Sequence, residues 1–187
     1  MPHTVARAPF SPNPHIHSTH VFHIVLSRIL WFITLLALQV FVFNHVHIFG
    51  YAVPMPYVYF LAILPAITPH WAYVLLGFVM GLMLDLFTNT PGMAAGSLTF
   101  VGLITPWVLK LFRPRDTDDE DFEPSHHTME WGGFMRFLGT LTLVHCILFF
   151  VLECFNFFDP YGLLLNMGGS ALLTLLFEVA MELIRKK

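Results

Sequence analysis

The chain is poor in charge. Lys, Arg, Asp and Glu make up 11% of its 187 residues, against roughly 25% in a soluble domain. It has no basic stripe, which excludes nucleic acid as a partner. No nucleophile has a base beside it, and there is neither a phosphate-binding loop nor a His-Glu-x-x-His helix. The chain therefore reads as non-enzymatic, with no catalytic residues and no cofactor. Cysteine is scarce too. Cys146 and Cys154 share one apolar segment, a spacing at which a disulfide within one helix is geometrically implausible. Buried, inert thiols are expected. His15, His17, His20 and His23 have ligand-like spacing, but the stretch lacks Cys, acids and a rigid frame. No metal site is expected there. No internal repeat is visible.

What the chain has is apolar length. Hydrophobic residues make up 56% and aromatics 16%. A spanning helix needs about 20 apolar residues. Segments 22–43, 71–87, 93–112, 133–157 and 163–184 qualify. Segment 51–67 is short and carries Pro54, Pro56 and Pro65. Hydropathy alone leaves five or six spans.

Charge placement favours six. Arg7 and Arg28 lie at the start, Lys110, Arg113, Arg115 and Arg136 flank the central hydrophilic loop, and Arg185, Lys186 and Lys187 end the chain. Six spans put all three groups on one side, which the positive-inside rule makes cytoplasmic. The expected class is an all-α integral membrane protein built as a six-transmembrane-helix bundle, with both termini cytoplasmic. Segment 51–67 then crosses as a short or broken helix, its prolines tolerated inside the bundle. Arg28 lies within the first span and snorkels toward the cytoplasmic face. A cleaved signal peptide is not expected, because the first apolar run is too long and no small-x-small site follows it.

Residues 1–20 are rich in Pro and His and read as a disordered cytoplasmic tail, leaving 21–187 as the membrane domain. Within it, loop 113–131 holds Asp116, Asp118, Asp119, Glu120, Asp121 and Glu123. It reads as solvated and acidic.

The candidate site residues are polar or small groups inside apolar segments. Gly77, Gly81 and Asp85 are spaced by four, so they share one helix face. Two glycines let another helix approach closely, and an intramembrane acid is functional by default. Asp85 sits near the C-terminal end of its helix, where the dipole disfavours an anion, so it needs donors. These can come from the turn Thr88-Asn89-Thr90-Pro91-Gly92, from a pocket, or from a partner.

Glu153 falls at a similar depth to Asp85. Together with Asn44, His45, His47, Asn156, Asp159 and Asn166 they can form an outward polar cluster or a solvated rim. His145 is mid-span, where a neutral packing role competes with a proton relay that would include Glu178. Ser170, Thr174 and Glu178, again spaced by four, make a polar stripe facing the bundle. Ser and Thr can bond their own backbone, so only Glu178 demands an outside group, and it lies close enough to the cytoplasmic end to reach water.

The run Gly81-Leu82-Met83-Leu84-Asp85-Leu86-Phe87 followed by Thr90-Pro91-Gly92 resembles the bacterial rod-shape-determining family MreD. The stretch from Asn44 to Tyr59, the run Pro106-Trp107…Leu111-Phe112-Arg113-Pro114-Arg115-Asp116, and His145…Glu153 are similar to the form found in Bacteroidetes-type bacteria. The resemblance covers the chain from about Leu26 onward.

It implies an inner-membrane, non-enzymatic component of the cell-elongation machinery. The implied partners are the bitopic protein MreC, the MreB filament, the glycosyltransferase–transpeptidase pair of lateral peptidoglycan synthesis, and membrane lipid. The family is also similar in fold to the membrane substrate-binding subunits of energy-coupling-factor transporters, which gives an alternative: a vitamin-type transport subunit with an outward pocket around Asp85 and Glu153. Those subunits dock through an Ala-x-x-x-Ala pair in the first helix. The run from Leu30 to Leu38 has none.

Overall fold

The computed structural model describes residues 14–43, 52–114, 122–153 and 160–185, with the side chains of 14–24, 160 and 163 set aside. The described architecture is all-helical. Helices α1 (Pro14–Phe41), α3 (His70–Thr88), α4 (Met93–Phe112), α5 (Glu130–Glu153) and α6 (Pro160–Ile184) surround a short inner piece made of a 3-10 turn (Pro56–Val58) and the single turn α2 (Tyr59–Ala62). Among the described residues four helices are long and apolar enough to cross a membrane: α3, α4, α5 and Leu164–Ile184 of α6. This is compatible with a membrane bundle. The apolar part of α1, Val25–Phe41, is shorter.

Much of the outer surface is apolar. Trp71, Leu75, Phe78, Leu82 and Leu86 on α3 and Leu165, Leu172 and Leu176 on α6 are exposed. They recur at three, four or seven residues, one stripe per helix. In water such stripes would be an association liability; against lipid they are the expected solvent-facing side.

The inner piece is short and broken, as expected of segment 51–67, and its place is central. The prolines remove N–H donors at positions 54, 56 and 65, and no continuous helix forms. Instead residues 55–64 are each at most 3% exposed, except for Pro56, which is also buried. They form the centre of the molecule. Helix α1 clamps this piece with Trp31 edge-on to Tyr59 (ring centroids 5.8 Å apart) and Phe32 edge-on to Phe60 (5.3 Å). Beyond α2 the chain turns, and the Tyr73 hydroxyl donates to the carbonyls of Leu64 (3.2 Å) and Pro65 (3.1 Å). Two carbonyls of the turn that follows the helix thereby find a donor.

Two boundaries need correction. Helix α1 starts at Pro14, so the last residues assigned to the tail are helical; proline suits the first helical turn because it has no N–H to lose. The central loop is not solvated throughout. Residues 122–129 pack onto the bundle, with Phe122 and Met129 buried at 3% and Ser125 at 2%. The Ala66 N–H donates to the Phe122 carbonyl at 2.9 Å. Acidic composition hid these two apolar anchors. Asp116, Asp118, Asp119, Glu120 and Asp121 lie outside the described residues, as do Asn44, His45, His47, Cys154, Asn156 and Asp159.

Candidate functional site

The Gly77/Gly81/Asp85 face is filled from within the chain, by α4. A Cβ on Gly77 would lie 2.5 Å from the Leu98 carbonyl oxygen, and one on Gly81 would lie 2.5 Å from both the Ala94 oxygen and the Ala95 Cα. Gly102 on α4 returns the contact: a Cβ there would lie 2.5 Å from the Tyr73 oxygen. Backbone meets backbone at three levels along the α3–α4 pair, which only glycine permits.

Asp85 finds its donors at the start of α4. Helix α4 begins after Gly92, whose φ of 82° favours glycine and whose missing side chain offers no cap. The Asp85 carboxylate, reaching over from α3, takes the cap's place. Its Oδ1 accepts from the Ala94 N–H at 2.9 Å and its Oδ2 from the Ala95 N–H at 2.9 Å. These are the second and third residues of α4, the donors that a cap residue normally satisfies. The Thr90 hydroxyl adds a third bond at 2.9 Å. The unfavourable end of α3 is thus outweighed by the favourable start of α4. Asn89, with φ 57°, closes α3 in the left-handed conformation, and Pro91 is exposed in the turn. The local-turn and buried-site readings of Asp85 merge: the turn is what brings the donors.

Glu153 does not join this constellation. It is exposed at the end of α5, while Asp85 is 6% exposed and bonded to α4.

The polar stripe of α6 faces the inner piece. The Val53 N–H donates to Ser170 Oγ at 3.0 Å, and the Met55 N–H to Thr174 Oγ1 at 2.9 Å. The periods match. Residues four apart on a helix advance about 6 Å, close to the 6–7 Å spanned by two residues of near-extended chain. Successive hydroxyls therefore meet alternate N–H groups. The Thr174 hydroxyl in turn donates to the Ser170 carbonyl at 2.6 Å. Gln39 Nε2 of α1 donates to the Pro54 carbonyl at 3.3 Å. A non-helical backbone at membrane depth is tolerated because helix side chains supply its partners.

The same stripe continues for two more turns. Glu178 is fully buried, and its Oε2 lies 2.7 Å from Thr142 Oγ1 of α5. The expectation that it reaches water is corrected: its depth is set by α5 packing over it. Its Oε1 has no protein partner. One turn along α5 from Thr142, His145 is also fully buried, with Nε2 2.9 Å from the Tyr57 hydroxyl and Nδ1 unpaired.

Sequence reasoning missed Glu182, which is 1% exposed. It is the centre of the strongest polar cluster among the described residues. Its Oε1 accepts from the His126 N–H and from His126 Nδ1, both at 2.9 Å. Its Oε2 accepts from the Tyr59 hydroxyl and lies 3.4 Å from Arg185 Nη1. Arg185 Nη2 donates to the Pro124 carbonyl at 2.8 Å. The signal was available: Glu182 follows Glu178 by four, as Glu178 follows Thr174. Arg28 stays close to the bundle, pairing with Glu123 at 2.9 Å.

If the α6 hydroxyls hold the inner piece, Ser170→Ala strands the half-buried Val53 N–H and Thr174→Val the buried Met55 N–H. Each is expected to destabilise the protein by about 1–3 kcal/mol. Thr140→Val is the contrast. Its hydroxyl bonds only its own helix, to the Arg136 carbonyl at 2.7 Å, and its loss should stay within about 0.5 kcal/mol. Thermal melts in one mild detergent rank the three.

No known family model, curated protein or solved structure matches this chain.

Proposed function

We propose that the chain is a non-enzymatic scaffold of the cell-elongation complex in the bacterial inner membrane. On this reading it binds MreC directly and, through the complex, stands with the MreB filament and the glycosyltransferase–transpeptidase pair that builds lateral peptidoglycan. One observation supports a scaffold above the alternatives: the conspicuous intramembrane groups are engaged inside the chain. Asp85 holds α4, Ser170 and Thr174 hold residues 53–55, and Glu182 holds Tyr59 and His126. Partner contact then falls to the exposed apolar helix faces and the loops.

The proposed topology is six crossings with both termini cytoplasmic. The course of the inner piece supports it. Its contacts with α6 progress from Ser170 at Val53 to Glu182 at Tyr59. Twelve helical residues rise about 18 Å, over half of a bilayer core of about 30 Å. The segment therefore runs lengthwise through the bundle.

Depleting the protein in the cell that carries it tests this role. Rod-shaped cells should widen and round within a few generations. Rods that keep their shape but need an added nutrient would contradict the scaffold and favour the transport subunit.

A further inference from the structure

The docked part of the central loop, 122–129, covers the end of the α6 polar stripe. Each partner of the Glu182 carboxylate other than Tyr59 belongs to this loop or is tied to it: His126 directly, and Arg185 through the Pro124 carbonyl. One turn inward lies Glu178, fully buried, with Oε1 unpaired; on α5, one turn from its partner Thr142, is His145, fully buried, with Nδ1 unpaired. Two polar atoms without partners in an apolar interior are sites where water would be taken up if it could enter.

The described polar contacts of the loop with α1 and α6 each have a bundle side chain at one end: Arg28 for Glu123, Glu182 for the His126 ring and N–H, and Arg185 for the Pro124 carbonyl; Phe122 and Met129 are its buried anchors. Among the described residues one backbone-to-backbone bond joins it to the turn after α2, from the Ala66 N–H to the Phe122 carbonyl. Segments held this way open at lower free energy than helices packed backbone to backbone. The contrast with the α3–α4 pair is direct.

We propose that residues 122–129 form a releasable strap. Seated, it seals the end of the α6 stripe. Lifted from Glu182, it admits water along the stripe as far as Glu178 and His145, giving the scaffold an open and a closed state governed from the loop. The inference adds to the scaffold reading and does not depend on MreC.

The test labels carboxylates in the full chain, reconstituted in nanodiscs, with a water-soluble carbodiimide and glycine ethyl ester. Mass spectrometry locates the label, and hydrogen exchange of 122–129 is followed in parallel. Glu153, exposed at the end of α5, is labelled throughout and serves as the internal reference. Two variants loosen the strap: Glu123→Gln removes the ion pair to Arg28, and His126→Ala removes the ring's bond to Glu182. Relative to Glu153, labelling of Glu182 and Glu178 should rise about tenfold in at least one variant, together with faster exchange of 122–129 and unchanged exchange of α3 and α4.

Faster strap exchange with Glu178 still unlabelled would overturn the proposal, because lifting the strap would then open no path along the stripe. Unchanged strap exchange in both variants would overturn it as well, because these contacts would then not be the fastening. Should His126→Ala lose α3–α4 protection, Glu123→Gln alone decides by the same two criteria.

Discussion

Replacing Gly81 by alanine should cost about 3 kcal/mol, at the upper end for overpacking. The reason is the nature of the obstacle. The new methyl would meet the Ala94 carbonyl and the Ala95 Cα at 2.5 Å. Neither is a side chain that can swing aside. Helix α4 must move as a body, and Asp85 one turn later would then lose its alignment on Ala94 and Ala95. Gly81→Leu should prevent folding. The contrast is Gly168 on α6, where an added Cβ meets nothing within 4 Å. There alanine should stabilise by about 0.5–1 kcal/mol, through helix propensity alone. Melts of the two variants in the same detergent check both signs. If Gly81→Ala melts with the unmodified protein, the α3–α4 contact is wrong.

The second large effect is at Asp85. Asp85→Ala removes three hydrogen bonds to a carboxylate and leaves the N–H groups of Ala94 and Ala95 buried without an acceptor. Bonds to charged groups contribute roughly 1.5–3 kcal/mol each and do not add fully, so a loss of about 3 kcal/mol is expected. Asp85→Asn keeps one acceptor oxygen but turns an NH2 toward the other N–H, and should lose about half as much. A proton-carrying or pocket residue would behave differently: the two variants would alter function alike while leaving the melt unchanged. Stability ranked native, Asn, Ala is the signature of a cap.

How much of this was legible in the sequence depends on where each partner lies. The glycine and acid face could be read from spacing, because a helix period is a local property. That α4 occupies the face could not, since its donors are backbone groups and carry no residue signature. The α6 stripe was legible in the same way, whereas its use was not: Val53 and Met55 contribute N–H groups that any residue would offer. Glu182 was legible in principle but was overshadowed by its nearness to the basic chain end. The prolines at 54, 56 and 65 foretold a broken helix. They did not foretell that the break would form the centre of the molecule, which follows from α6 supplying hydroxyls at a matching period. The strap was hidden by the acids before it, because composition averages over Phe122 and Met129.

These particulars favour one division of labour. Glycines and buried acids build the bundle, and the outer apolar faces and the loops meet whatever the bundle serves. Affinity purification of the tagged protein in mild detergent, with MreC from the same cells probed in the eluate, tests that proposal most directly. Expected is recovery of MreC with the native protein and with Gly168→Ala, and its loss with Gly81→Leu. Tagged protein that keeps its native melt and recovers no MreC would contradict it.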